Sequence, residues 1–215
     1  MKGNYNDIID IILTLQKNET INKNIIISGS IVPYLLLNKE SSENHTDLYI
    51  LVNEQELSNV RKEMKKIYKE YLIDIISDSR KMNKTDYGFK MKYENTFIGF
   101  FPYEFLNNNF ILKTYSVNKS KTEIFIKTKK IISLTKTILF RKIMFNNKLL
   151  TIMSPEYVLV DKESREKEPG NPTIETMNLL NKICDESILK IIRKSFIDSK
   201  IELKKEKIKK NIFNI

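Results

Sequence analysis

The chain has 215 residues, of which 41% are hydrophobic, so it can bury one ordinary core. Its 37 Lys and Arg residues outnumber the 27 Asp and Glu residues, and the net charge of +10 attracts polyanions such as nucleic acid or nucleotide phosphates. A single cysteine, Cys184, excludes an internal disulfide, and a single histidine, His45, excludes a multi-histidine metal site. Without a signal-peptide pattern or a membrane-length apolar run, the sequence predicts a cytoplasmic protein with no membrane partner.

The first third of the chain alternates helical and extended patterns. Apolar residues from Ile8 to Leu15 recur at helical spacing, and a β-branched run precedes a Gly-Ser turn. The predicted elements in chain order are a helix at 4–17, a strand at 24–28, a helix at 30–37, a strand that begins beside Asp47, and a surface helix at 54–71. Pro33 is compatible with the second helix because it lies in the first turn.

The rest of the chain divides into a β-rich part and a helical part. Short runs rich in Ile, Phe, Tyr and Thr at 72–151, separated by Asn clusters, predict strands and hairpins. Ser154-Pro155-Glu156 predicts a helix start, because Ser suits the N-cap, Pro the first position and Glu the positive helix end. We therefore expect an α/β domain at 1–152 and a helical C-terminal subdomain at 153–215.

The Gly29-Ser30 turn has residue types that suit a phosphate group. Its backbone N–H groups and hydroxyl can contact a phosphate at the start of a helix, and Asp47 can hold the accompanying divalent cation. Tyr49 stands where a second carboxylate is expected, although two-cation phosphoryl transfer needs several acidic ligands. The structural alternatives are a plain strand-to-helix connection at Gly29-Ser30 and a backbone hydrogen bond at Asp47.

Two segments of the chain resemble known nucleotidyltransferases. Residues 25–52 resemble the opening of the nucleotidyltransferase fold of the DNA polymerase β type, in which a Gly-Ser turn begins a helix and an Asp-x-Asp pair lies on the next strand. The second segment resembles the helical part of the abortive-infection toxin-like nucleotidyltransferases, and its matching residues are Ser154-Pro155-Glu156-Tyr157, Lys162, Arg165 and Lys167-Glu168.

The resemblance implies a fold, a reaction and cofactors. The fold is α/β (α+β), a nucleotidyltransferase-like mixed sheet flanked by helices with a C-terminal helical part. The reaction is transfer of a nucleoside monophosphate from a nucleoside triphosphate, with Mg²⁺, to a hydroxyl or phosphate acceptor. The implied partners are therefore a nucleotide and an acceptor such as RNA or another protein.

The resemblance also implies roles for individual residues. Asp47 is the expected catalytic and metal-binding carboxylate, and the expected nucleotide-binding residues are Gly29, Ser30 and Lys162. The strand expected to carry a third carboxylate, at 97–101, has none, so Glu104 is the substitute metal ligand. Other residues stay open as substitutes or phosphate contacts: His45, Asp74, Asp78, Asp86, Arg165 and Lys167. A solvated basic helix face is the alternative for Lys162.

We expect a nucleotidyltransferase-fold protein with a degenerate metal site that binds a nucleotide and has weak or no transfer activity. One alternative is an active Mg²⁺-dependent nucleotidyltransferase acting on RNA, protein or a small hydroxylated acceptor. The other is a basic module that binds nucleic acid or a partner protein. Several carboxylates beside Ser30 favour the enzyme, whereas apolar packing around Tyr49 favours the scaffold.

Overall fold

The computed structural model describes residues 5–41, 47–68, 72–73, 88–93, 96–117, 123–164 and 174–207. Helices flank a mixed β-sheet. The helices are α1 (Tyr5–Lys17), α2 (Glu19–Asn22), α3 (Val32–Leu37), α4 (Leu57–Ile67), α5 (Lys136–Leu139), α6 (Pro155–Glu163), α7 (Ile174–Ile183) and α8 (Glu186–Ile197). The strands are β1 (Ile25–Ser28), β2 (Asp47–Asn53), β3 (Leu72–Ile73), β4 (Phe89–Tyr93), β5 (Thr96–Leu106), β6 (Asn109–Val117), β7 (Glu123–Ile131), β8 (Phe140–Phe145), β9 (Lys148–Met153) and β10 (Lys200–Lys207).

The sheet has the strand order β10-β7-β6-β5-β2-β1-β9-β8. β2 pairs with β5 and β1 pairs with β9 in parallel, and the other described pairs are antiparallel. β5 is long enough to pair with β4 along its first half and with β6 along its second half. The predicted mixed sheet flanked by helices is confirmed.

One face of the β2-β5-β4 region belongs to the hydrophobic core. Side chains alternate along β2, so Leu48 and Ile50 are buried while the residues between them face the other way. On the core face Phe89 of β4 stacks on Phe100 of β5 with 4.3 Å between ring centroids. The guanidinium of Arg61, from α4, lies 5.1 Å from the Phe89 ring, so α4 covers this face. The opposite face is exposed near the start of β2, at Asp47 and Tyr49, and is buried further along, at Leu51 and Phe101.

Local sequence signals predicted the positions of α1, α3, α4 and α6, whereas the short helices α2 and α5 were not predicted. α1 has the predicted bounds within one residue, and α4 follows a 3₁₀ turn at Glu54–Glu56. At the start of α6, the Ser154 hydroxyl accepts a hydrogen bond from the Tyr157 N–H at 3.2 Å, and Pro155 occupies the first turn, as predicted. Among the described residues, no helix combines the length and the apolar character that crossing a bilayer requires.

The Lys-rich stretch at 200–207 is a strand, so the segment predicted as a helical C-terminal subdomain at 153–215 contains a strand as well as helices. β10 pairs antiparallel with β7 along its whole length, from Lys200 opposite Lys130 to Lys207 opposite Glu123. Lys and Glu favour helices in isolation, but the edge of β7 offers an eight-residue ladder of backbone hydrogen bonds. Tertiary pairing therefore overrides the local preference and returns the chain to the sheet.

Candidate functional site

A tight turn connects β1 to α3. Gly29 has φ +88°, a left-handed conformation that glycine adopts without steric cost. The Val32 N–H donates a hydrogen bond to the Gly29 carbonyl at 3.2 Å, and α3 begins there. Gly29 and Ser30 are partly exposed, so the turn is accessible from the surface.

The antiparallel pairing of β1 with β2 brings this turn near Asp47. Ser28, the last residue of β1, lies opposite Tyr49. The Gly29-Ser30 turn therefore leaves the sheet at the end where Asp47 begins β2, and Asp47 is exposed. Three of the predicted site residues, Gly29, Ser30 and Asp47, thus lie at the same end of two paired strands.

Tyr49 occupies the space beside the turn. It lies on the same face of β2 as Asp47, and its ring stacks on Phe101 of β5 with 5.6 Å between centroids. A Cβ atom added at Gly29 would lie 3.4 Å from Cδ2 of Tyr49, so the ring lies against the turn. Gly99, opposite Tyr49 on β5, leaves room for Phe101, whose Cε2 would be 2.5 Å from an added Cβ. An aromatic pair therefore occupies the position of the expected second carboxylate.

A lysine of β4 lies beside this aromatic pair. Lys90 is opposite Gly99, which is opposite Tyr49, so their side chains share a face of the sheet. Its Nζ is 5.9 Å from the centroid of the Phe101 ring. Burial lowers the pKa of Lys90 below its ordinary value, and the negative charge of Asp47 opposes that lowering. Lys90 and Asp47 therefore act on each other electrostatically.

Lys92, two residues further along β4, extends the positive charge on this face. It lies opposite Phe97, which in turn lies opposite Asp47. The Lys92 Nζ is 5.8 Å from the centroid of the Phe97 ring, and Phe97 is 47% exposed. Lys90 and Lys92 were not among the sequence predictions. Lysine alternates with apolar residues at 89–93, which predicts a strand with both lysines on one face. The alternation does not indicate that this strand lies next to β5, and so it could not place the lysines near Asp47.

Glu104 lies far from Asp47. It is seven residues beyond Phe97, the partner of Asp47, so the two acids are about 23 Å apart along the strand direction at about 3.3 Å per residue. Lys113 of β6 lies 3.7 Å from Glu104 and 2.7 Å from Glu54. The structure does not bring Glu104 to the site, and its carboxylate forms a separate ion-pair cluster instead.

Lys162 lies in the last turn of α6, which contacts α3, the helix that follows the Gly29-Ser30 turn. Its neighbour Asp161 pairs with the buried Lys129 at 3.1 Å. The phosphate-binding role of Lys162 stays a prediction. The other open residues lie outside the described part of the chain: His45, Asp74, Asp78, Asp86, Arg165 and Lys167.

Two solved structures are similar to this chain over most of its length. One is the solution structure of the antibiotic-resistance factor ANT(2'')-Ia, with 12% sequence identity and a TM-score of 0.55, which covers 89% of this chain and 93% of that one. The other is the lincomycin-bound lincosamide antibiotic adenylyltransferase LnuA, with 12% identity and a TM-score of 0.50, which covers 86% of this chain and 100% of that one. No protein-family model and no curated protein matches the sequence. The chain has a nucleotidyltransferase fold, as its motifs predicted.

Proposed function

We propose that this protein binds a nucleotide at the Gly29-Ser30 turn, that its metal site is degenerate, and that it has weak or no transfer activity. The observation that carries the binding part of the proposal is that the partly exposed Gly29-Ser30 turn and the exposed Asp47 lie at the same end of two paired strands. The Tyr49-Phe101 aromatic pair, at the position of the expected second carboxylate, supports only the loss of transfer activity. The turn is partly exposed, and the Ser30 hydroxyl and the amides before Val32 are the groups that we expect to contact a phosphate, since the Val32 N–H bonds the Gly29 carbonyl and Pro33 has no N–H.

The donor set near Asp47 does not fit Mg²⁺. This cation prefers hard oxygen ligands in an octahedral arrangement, and an un-ionised phenol is a poor substitute for a carboxylate. The residues that the structure describes include no cluster of three or more His, Cys, Asp or Glu side chains placed to hold a metal ion. Lys90 adds a positive charge near Asp47, which opposes binding of a second cation.

The expected loss of activity follows from the missing ligands. Removal of one preorganised electrostatic contact from an active site typically costs about 10²- to 10³-fold in rate. Among the described residues, two of the three expected carboxylates are missing from the site, since Tyr49 replaces one and Glu104 lies far away. From a typical turnover number of about 10 s⁻¹, two such losses of at least about 10²-fold each lower transfer to about 10⁻³ s⁻¹, so we expect a rate below about 0.01 s⁻¹.

Calorimetry with ATP, GTP, CTP and UTP tests the binding part of the proposal. ATP is the first nucleotide to test because LnuA is described as an adenylyltransferase. Ser30→Ala should weaken binding about 10- to 100-fold, since a hydrogen bond to a charged group contributes about 1.5–3 kcal/mol. The control is Ser164→Ala, whose hydroxyl bonds the Asp161 carbonyl at the end of α6. If none of the four nucleotides binds the folded protein, the proposal is wrong.

Transfer is tested with α-labelled ATP and three acceptors: total RNA, the protein itself and a hydroxylated small molecule such as lincomycin. We expect no labelled product above the stated limit of about 0.01 s⁻¹. Transfer at about 1 s⁻¹ would instead support the active enzyme.

The second candidate is a basic module that binds nucleic acid or a partner protein. The same aromatic packing around Tyr49 favours it, because stacked rings beside a turn stabilise a fold without any ligand. Absence of nucleotide binding together with salt-dependent binding to RNA would support this candidate.

A further inference from the structure

β10 forms one edge of the sheet in the part of the chain that the structure describes. β7 pairs with it on one side, and no other described strand pairs with it on the other side. In an antiparallel ladder, every second residue directs its backbone N–H and C=O groups away from a given neighbour. Half of the β10 residues therefore direct these groups to the open edge, where another strand can bond them.

The open edge of β10 is accessible from both faces of the sheet. All residues from Lys200 to Lys205 are exposed, although their side chains alternate between the two faces. Ile201 is 53% exposed and Leu203 is 75% exposed, and both lie on the same face. Phe125 of β7, which is diagonal to Leu203, is also exposed on that face. A strand added at this edge would cover apolar surface that is now in water.

The charges of β10 determine which strand can pair with it. Lysine at a sheet edge normally opposes strand addition, because its ammonium group must lose water or face a like charge. A second copy of β10, in antiparallel orientation, avoids this cost in the register that places Leu203 opposite Leu203 of the second copy. Glu202 then lies opposite Lys204 of the second copy, and Lys204 lies opposite its Glu202. Two pairs of opposite charges therefore form on one face of the joined strands.

The neighbouring registers of the same pairing place like charges together. Residues that lie opposite each other share a face, so the register shifts only in steps that keep the two faces matched. A shift in one direction places Glu202 opposite itself and Lys200 opposite Lys204, and a shift in the other direction places Lys204 opposite itself. Like charges directly opposite each other destabilise a sheet. Of these three registers, only the one centred on Leu203 is complementary in charge.

The apolar face is also compatible with this register. Leu203 contacts its own copy, and Ile201 lies opposite Lys205 of the second copy. Lys205 pairs with Glu123 of β7 at 2.8 Å, so its ammonium group keeps a counter-ion while its aliphatic stem covers Ile201.

We propose that two copies of this chain pair antiparallel through β10, with a two-fold axis at Leu203, and join their sheets into one continuous sheet. The two-fold axis makes the interface the same patch on both copies. Residues 200–206 of each strand pair in this register. An interface of this size is small, so we expect a Kd of about 1–100 µM instead of a permanent dimer. β7, β6 and β5 separate β10 from β2, and the dimer is therefore independent of nucleotide binding at the candidate site.

The first experiment measures the mass of the protein by sedimentation velocity from about 1 to about 300 µM, the range around the expected Kd. We expect single chains at the lowest concentration and dimers at the highest. Glu202→Lys and Lys204→Glu each place like charges opposite each other twice in the symmetric dimer, and each should weaken dimerisation by at least about tenfold. The matched control is Lys142→Glu, an exposed lysine on β8 at the other edge of the sheet, which should dimerise like the original protein.

The second experiment tests the register by restoring the opposite charges. A mixture of the Glu202→Lys and Lys204→Glu variants should form a mixed dimer, because each lysine then lies opposite an acid of the other variant. The double variant Glu202→Lys with Lys204→Glu should dimerise with itself for the same reason. Neither result is expected if the single substitutions weaken dimerisation by damaging the fold.

Three outcomes would overturn the proposal. The first is an original protein that stays a single chain up to about 300 µM, well above the expected Kd. The second is a dimer that neither single substitution weakens, since its interface would then lie elsewhere. The third is folded single variants that do not associate when they are mixed, because the register centred on Leu203 requires that they do. Circular dichroism of each variant confirms that it is folded.

Discussion

Asp47 and Glu156 are acidic residues from the two segments that resemble nucleotidyltransferases, yet their surroundings are opposite. Asp47 is exposed at the start of β2, beside the Gly29-Ser30 turn. Glu156 is fully buried in the first turn of α6, where its Oε1 accepts hydrogen bonds from the Arg141 guanidinium and, at 3.0 Å, from the Asp185 N–H. Glu156 therefore joins β8, α6 and the start of α8.

The different surroundings of Asp47 and Glu156 indicate different roles for the two segments that resemble nucleotidyltransferases. Asp47 lies on a face with two lysines and exposed aromatic rings, so its environment suits a charged ligand. The Oε1 atom of Glu156 bonds groups from β8 and the start of α8, whereas its buried Oε2 has no hydrogen-bond partner among the described residues, so the main contacts of this acid are inside the protein. The Ser-Pro-Glu-Tyr segment thus attaches the C-terminal helices to the sheet, whereas the Gly-Ser turn is where we propose that a ligand binds.

The largest effect on stability is expected at the ion pair of Glu156, the buried acid of the comparison. Arg141→Ala should lower the free energy of unfolding by about 3 kcal/mol, because it leaves the carboxylate of Glu156 buried without its cation. Glu156→Gln should cost less, about 1–2 kcal/mol, since Arg141 is partly exposed and water can solvate it. Urea unfolding measures both values. Lys142→Ala, on the same strand but exposed, is the control and should change stability by less than about 0.5 kcal/mol.

A smaller effect is expected at the cap of the same helix. Ser154→Ala removes the side-chain acceptor for the Tyr157 N–H and should cost about 1 kcal/mol. The matched control is Thr135→Ala, because Thr135 occupies the N-cap of α5 without a side-chain capping bond. Thermal unfolding compares the two. Equal losses in both variants would contradict a specific role for the Ser154 cap.

Asp185, the exposed N-cap of α8, makes the stability of the protein depend on pH. The carboxylate of Asp185 accepts hydrogen bonds from the Ser187 hydroxyl and from the N–H groups of Ile188 and Ser187, and these lower its pKa. A lowered pKa in the folded protein gives stability that is present above the unfolded pKa, about 3.9, and is lost as the pH falls through the folded value.

Asp185→Asn should therefore flatten the acid side of the stability curve, as measured by urea unfolding at a series of pH values below about 5. Because the other carboxylates titrate in both proteins, the difference between the two curves isolates Asp185. A difference that grows as the pH falls would contradict the assigned direction of the shift.

The smallest effect on stability is expected at Asp47, the exposed acid of the comparison. Asp47→Asn should change the free energy of unfolding by less than about 0.5 kcal/mol, since Asp47 is exposed. If Asp47→Asn instead lowers the free energy of unfolding as much as Arg141→Ala does, Asp47 is a structural acid like Glu156 and the proposed difference between them is wrong. Urea unfolding in the absence of nucleotide is the measurement.

The sequence predicted the features that depend on neighbouring residues. The helical spacing of α1, the strand-turn-helix at the Gly29-Ser30 turn and the cap at Ser154 were all readable, because each is set within a few residues. Glu104 was misplaced since it is close in sequence to a strand of the site but lies at the strand's far end. Lys90 and β10 were missed because both depend on which strands pair across the sheet.

Part of the positive charge of the protein lies on β10, at an edge of the sheet, and not at the candidate site. Its eight residues include four lysines, and the strand forms one edge of the sheet in the described part of the chain. An unpaired edge is a template on which other chains can add strands and aggregate, and lysine side chains make such addition costly through desolvation and repulsion between like charges. The exposed Lys204 and Lys205 of this edge strand therefore oppose the addition of a further strand that lacks acids in the matching register.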